Sequence, residues 1–240
     1  MKRIKNMIIG ELKGIIRDPA LLMLFFAPIM IFLLISYGFP FIIRLIQIKT
    51  GFDASGYSCA SVAYMSFLPA LMAGMLSGLV IIDERDEGLI YYFAVTPLSK
   101  SGYLLNKVIF CGALAFLSSL LLLIFNLFCA FPVSSSLAAS VLFTAEALLF
   151  ALFFAVFASN KIEAMAMGKF LGIMTAGPLI AWLAPYPWKY ISLFFVTGFP
   201  AMILYEGNNT AARIIFLITG AAVHALLIFV LFNKWMKRAA

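Results

Sequence analysis

The sequence predicts an all-α integral membrane protein with six transmembrane helices, and two observations carry that prediction. First, 65% of the 240 residues are hydrophobic and only 11% are charged, with a mean hydropathy of +1.09. A soluble domain carries roughly 45–50% apolar and about 25% charged residues. Second, charge-free stretches run from Pro19 to Ile43, Ala54 to Ile82, Val108 to Ala145, Phe170 to Trp188, Tyr190 to Tyr205 and Ile214 to Asn233. Most of them reach the roughly 17–25 residues that a spanning helix needs. Runs such as LLMLFFAPIMIFLLISY and AFLSSLLLLIFNLF do not alternate apolar with polar residues, which excludes the strands of a β-barrel.

The elements follow in chain order as one transmembrane domain, 1–240. Residues 2–17 place Ile4, Ile8, Leu12, Ile15 and Ile16 on one helical stripe and Lys2, Lys5, Lys13 and Arg17 elsewhere, predicting an interfacial helix on the inner leaflet. Asp18-Pro19 then supplies an N-cap and a first-turn proline for span 1, 20–43. Span 2 is 62–82. The run from Val108 is too long for one helix, and Phe131-Pro132-Val133-Ser134-Ser135-Ser136 breaks it into spans 106–130 and 137–158. Spans 166–184 and 212–232 complete the six. The apolar piece 189–204 is short, follows Pro185-Tyr186-Pro187-Trp188 and contains Gly198 and Pro200; it is expected to form a re-entrant hairpin before span 6. The first apolar run is too long and starts too late for a cleavable signal and reads as a signal anchor.

Basic residues set the orientation. With both termini inside, Lys2, Arg3, Lys5, Lys13, Arg17, Arg85, Lys100, Lys107, Lys161, Lys169, Lys234, Lys237 and Arg238 face the cytoplasm, leaving only Arg44, Lys49, Lys189 and Arg213 outside. The net charge of +7 is mostly this signal, so no nucleic-acid partner is expected. Cys59, Cys111 and Cys129 lack metal-ligand spacing. Cys59 and Cys129 both fall near the outer face and are able to pair, but free thiols in helices are the favoured expectation. Asn208-Asn209-Thr210 fits a glycosylation sequon on an outer loop.

The polar segments are too short to form a domain, and no G-x-x-x-x-G-K-[ST] phosphate loop occurs. The chain is therefore not expected to be an enzyme or to bind a cofactor; any ATP and magnesium would sit on another subunit. The loop 83–105, DERDEGLIYYFAVTPLSKSGYLL, is unlike a plain connector. Asp83, Glu84, Asp86 and Glu87 leave span 2, Gly88 follows, Leu89 to Val95 form a short apolar-aromatic helix, and Thr96-Pro97 start another. Leu89, Ile90, Tyr91, Tyr92, Phe93 and Val95 are expected at the cytosol, where such a knob wants a partner groove.

This loop resembles that of type-2 ATP-binding-cassette exporter permeases, which read E-R-E-x-G-T-L before T-P-L-S; here D-E-R-D-E-G precedes T-P-L-S and Tyr103-Leu104-Leu105-Asn106-Lys107. Ile16-Arg17-Asp18-Pro19, Ser159-Asn160-Lys161-Ile162-Glu163-Ala164 and Pro187-Trp188 before Pro200 resemble other stations of that family in order. Leu89 departs from it, standing where the family usually has Thr. The resemblance implies a permease in a plasma membrane such as a bacterial inner membrane, paired with a second permease copy as homo- or heterodimer and with a separate ABC ATPase. It further implies that residues 84–95 form the coupling element, with Glu84, Glu87, Gly88, Leu89, Tyr92, Phe93, Thr96 and Pro97 as its contact residues.

Small residues recur at helical spacing, Ser66, Ala70, Gly74 and Gly78 in span 2 and Ala164, Gly168, Gly172 and Ala176 in span 5, permitting close helix approach within the chain or across a dimer. Glu146, His224 and Asn126 lie within the apolar spans, either on a translocation path or bonding helices together. The same residues bear on two other functions. A proton-coupled secondary transporter would work through Glu146. An intramembrane protease would need Ser77 and His224, but in Gly74-Met75-Leu76-Ser77-Gly78 Met75 stands where a G-x-S-G motif needs glycine.

Overall fold

A computed structural model describes residues 10, 12–90 and 99–238. Six helices are long and apolar enough to cross a membrane: α1 (Pro19–Thr50), α2 (Ser55–Asp86), α3 (Ser99–Phe125), α4 (Val133–Phe157), α5 (Lys161–Leu183) and α6 (Thr210–Arg238). Among the described residues there is no strand. Residues 12–17 are helical and lead into Asp18, whose Oδ1 accepts the amides of Ala20 at 2.8 Å and Leu21 at 3.3 Å. Those donors have no partner inside the helix, so the carboxylate caps α1. The earlier part of the expected interfacial helix, residues 2–9, lies outside the described residues.

Prolines decide where the helices depart from regularity. Pro40 cannot donate to the carbonyl of Ser36, and the chain widens into a π turn over Leu34–Gly38 in which the Phe39 amide bonds the Leu34 carbonyl. Pro69 likewise gives nothing to Met65, and α2 breaks at Ser66 between Ser58–Met65 and Phe67–Asp86. In α5, Pro178 frees the carbonyl of Met174. The helix tightens to a 3₁₀ turn over Gly172–Thr175, and the hydroxyl of Thr197 donates to that carbonyl.

The first two spans differ in length from their hydropathy signal. Each has 32 residues, about 48 Å at 1.5 Å per residue, against a hydrocarbon layer of about 30 Å. The stretch 44–61, expected as a loop, is helical except around the turn at 51–54, where Gly51 ends α1 with φ +72°. Polar residues enter there because the helix outruns the apolar layer.

At the centre, α4 packs against α2, α3 and α6. Gly74 and Gly78 let α2 close on it: a Cβ at Gly74 would stand 2.6 Å from the Ala147 carbonyl oxygen, and one at Gly78 2.7 Å from Phe154 Cβ. The segment before α6 is a hairpin, a 3₁₀ stretch Trp188–Phe194 and then a helix Gly198–Tyr205 whose residues Gly198 to Leu204 are all buried. It is enclosed by α4, α5 and α6. Protein therefore surrounds its irregular backbone, which is the condition for such backbone at membrane depth.

One expectation is corrected. Cys59 and Cys129 are joined in a disulfide with their Cα atoms 5.1 Å apart. The free-thiol reading fails because α3 ends at Phe125, so Cys129 sits in a turn that brings it to the start of α2 rather than on a helix.

Candidate functional site

The ends of α1, α2, α3, α4, α5 and α6 nearest the chain termini meet at one face, and the acidic run leaving α2 is its centre. Asp83 accepts the Lys161 ammonium at 2.9 Å, and the same nitrogen bonds Asp18. One lysine at the start of α5 thus joins α1 to α2. The Lys161 bond holds the Asp18 carboxyl below the usual carboxylate range. Glu84 turns toward α3, accepting Lys107 at 2.9 Å and the hydroxyl of Tyr103. Arg85 reaches the α4–α5 turn, donating to the carbonyls of Ala158 at 3.1 Å and Ser159 at 2.8 Å, which a helix C-terminus leaves without intrahelical donors. The turn itself is set by Asn160, whose side chain accepts the Glu163 amide at 2.9 Å, while the Glu163 carboxylate accepts the Ser159 amide at 2.7 Å.

Glu87 is exposed, and Gly88 adopts φ +76°, ending α2 with its amide on the Arg85 carbonyl at 3.0 Å. A left-handed position of this kind suits glycine. The chain then re-enters a helix, with Leu89 half-buried and Ile90 only 2% exposed. For Ile90 the expectation of exposure is corrected: it belongs to a buried cluster with Ile81, Tyr103, Leu104, Leu152, Val156 and Trp235, which ties this point to α3, α4 and α6. Tyr92, Phe93, Thr96 and Pro97 lie outside the described residues. Beside this exit, a cavity of about 570 Å³ opens between the 12–17 helix and α2, lined by Lys13, Arg17, Asp18, Asp83, Glu87 and Leu89. Sequence reasoning missed Trp235. Its signal is a lone aromatic within the polar tail Asn233–Arg238.

The intramembrane candidates separate. Asn126 caps α3: its amide donates to the carbonyls of Leu122 at 2.9 Å and Leu123 at 3.2 Å, and its oxygen accepts the amides of Phe128 and Cys129 at 3.1 and 2.8 Å. Glu146 and His224 face one another between α4 and α6, both 0% exposed, with Oε1 and Nε2 3.8 Å apart. On α5, a Cβ at Gly168 would meet Met75 of α2 and Phe154 of α4 at ordinary contact distance, and one at Gly172 would meet nothing within 4 Å.

A lateral apolar pocket of about 260 Å³ lies where α1, α2 and α5 break, lined by Phe39, Tyr57, Tyr64, Met65, Pro178 and Trp182. Irregular backbone at membrane depth is tolerated where it lines a cavity, and here the three proline-linked irregularities border the same one. Beyond it, at the face opposite the termini, Lys189 bonds Glu206 at 2.8 Å and lies 4.2 Å from the Tyr205 ring centroid. Burial pulls this ammonium down, but the Glu206 bond outweighs it and holds Lys189 above its ordinary value.

The sequence was compared with known proteins. Two curated relatives, both named fluoroquinolones export permease protein, come from Mycobacterium tuberculosis strains CDC 1551 / Oshkosh and ATCC 25618 / H37Rv. Each is 22% identical over 238 residues, covering 96% of this chain and 93% of the relative. No solved structure matches. The model of the family described as fluoroquinolones export permease protein Rv2686c-like matches residues 11–232, and the chain belongs to that family of export permeases.

Proposed function

We propose that this export permease is the membrane subunit of an ATP-driven ABC exporter, working as a pair of permeases with a separate ATPase that carries the ATP and magnesium. The observation that carries the reading is the bonding of the α2 exit. Asp83, Glu84, Arg85 and Ile90 tie that point to every other span, so a push on the segment after Gly88 moves the bundle as a whole. The acidic, partly apolar cavity beside Glu87 and Leu89 is the seat for the ATPase, and this face is cytoplasmic by the distribution of basic residues. The open face of α5 at Gly172 serves the second permease copy, while Gly168 packs toward α2 and α4 of its own chain.

The relatives' name suggests planar aromatic drugs as cargo, and the lateral pocket bordered by Phe39, Tyr57, Tyr64 and Trp182 has walls suited to stacking on such rings. The test is co-purification of a co-expressed ABC ATPase with a combined Tyr92→Ala and Phe93→Ala variant at equal membrane levels, against the wild-type permease. Truncating aromatic anchors costs about 2 kcal/mol or more at a hot spot, roughly a thirtyfold affinity loss. Undiminished recovery would remove the coupling role from this segment. A proton-driven exporter working through Glu146 makes the opposite demand on a second experiment: it requires transport to stop in Glu146→Gln or when the pH gradient is collapsed. The ATP-driven reading requires transport to continue in both cases.

A further inference from the structure

Glu146 and His224 are fully enclosed, and the coupling described above uses neither. The Nδ1 of His224 lies 2.7 Å from the Gly220 carbonyl oxygen one turn earlier. A carbonyl only accepts, so Nδ1 carries a hydrogen, and in the neutral ring Nε2 then presents its lone pair. That nitrogen faces Glu146 Oε1, and among the described residues neither carboxylate oxygen nor Nε2 has a hydrogen-bond partner. The Phe199 ring closes the site from the hairpin, edge-on to the imidazole at 6.4 Å between centroids. Gly220 lets these elements meet, because a Cβ there would stand 2.8 Å from Leu142 and 3.0 Å from Phe199.

Charge balance then counts the protons. With none between them, a carboxylate would face a lone pair and leave a net negative charge buried. With two, a net positive charge would be buried. Only one proton, on either partner, leaves the pair neutral, and an uncompensated charge in a dry interior is far costlier than a neutral pair.

The ionisable groups of the surrounding elements are engaged elsewhere. On α2, Asp83 and Glu84 bond Lys161 and Lys107, and Tyr57 and Tyr64 line the lateral pocket. On α3, Tyr103 and Lys107 bond Glu84, and the Cys111 thiol donates to the Ala73 carbonyl. In the hairpin, Lys189 pairs with Glu206 against the rings of Tyr205 and Tyr190. At the two ends of α6, Arg213 donates to Ser134 and Lys234 lies over Phe157.

We propose that Glu146 and His224 carry a single proton, on one partner or the other, as a net-neutral clasp between α4 and α6. His224 is the only histidine in the chain. Nitrogen-15 labelling of histidine in the full-length protein therefore reports this one ring. The expected result is an imidazole signal, with Nδ1 protonated, that does not move between about pH 5.5 and 8.5, a window in which a free histidine titrates near 6.5. Glu146→Gln, similar in shape but without a carboxyl proton, is expected to shift the Nε2 resonance while the protein remains monodisperse. A ring that titrates near 6.5 in the wild type, or an Nε2 resonance indifferent to Glu146→Gln, overturns the clasp. Neither readout depends on the ATPase, so its failure would leave the exporter reading standing.

Discussion

At the scale of single residues, polar side chains near the membrane are spent on joining helices. Asp18 does two jobs, capping α1 and pairing with Lys161, and Asp18→Asn separates them. Asparagine caps as well as aspartate but carries no charge. Because pairing lowers the folded-state value of Asp18, its contribution is present above the unfolded carboxylate value and is lost as pH falls through the lower folded one. Asp18→Asn is therefore expected to lower the thermal midpoint slightly at pH 7, within the roughly 0–1 kcal/mol of a partly exposed pair, and the difference should vanish in strong acid. Scanning fluorimetry of both proteins against pH checks this; a gap unchanged at low pH would refute it. Asn126 gives a sharper case. Asn126→Ala removes a four-bond cap and is expected to cost about 1–2 kcal/mol, measured as earlier loss of the monodisperse peak on heating. The sequence made the Asp18 cap legible because aspartate precedes proline. It did not reveal Asn126 as a cap, because the turn at 126–129 interrupts a continuously apolar run.

At the scale of elements, hydropathy located the six spans but not the helix ends or the breaks. A window average sees the apolar layer, whereas α1 and α2 continue beyond it. The breaks were legible in principle, since each lies within six residues before a proline, but the pocket they border needs three distant segments brought together. The disulfide was legible only as an option: both cysteines could be placed near the outer face, but they are separated by 70 positions, and nothing local to either favours the bond over free thiols. Closing a loop of that length removes chain entropy worth about 4 kcal/mol on the loop model. Cys59→Ser with Cys129→Ser is expected to lower the thermal midpoint and abolish its sensitivity to reductant, which the wild type should show. A wild-type midpoint indifferent to a strong reductant, with the thiols shown to be reduced, would contradict that account.

At the scale of the whole molecule, both faces are bonded and the layer between carries the irregular helices. The terminal face is held by Lys161, Glu84, Arg85 and the Ile90–Trp235 cluster, and the opposite face by the disulfide and the Lys189–Glu206 pair. Between them, the unbroken Phe67–Asp86 part of α2 runs from the bonded acidic exit to the break at Ser66 beside the lateral pocket. The proposed coupling role demands two properties, docking and anchoring, and it assigns them to residues three positions apart, Glu87 and Ile90. Glu87 is exposed, so Glu87→Lys is expected to leave stability within about 0.5 kcal/mol while weakening retention of the ATPase. Ile90 is buried, and Ile90→Ala should cost about 2–5 kcal/mol of local packing without touching the docking surface. Its expected phenotype is an assembled complex that hydrolyses ATP but moves less substrate per ATP, because the pushed segment is no longer fixed to α3, α4 and α6. Reconstituting both variants with the ATPase and measuring retention, hydrolysis and transport in the same vesicles decides the matter. If Ile90→Ala lowers transport and hydrolysis in equal proportion, the anchoring role is wrong; if Glu87→Lys retains the ATPase as the wild type does, the docking role is.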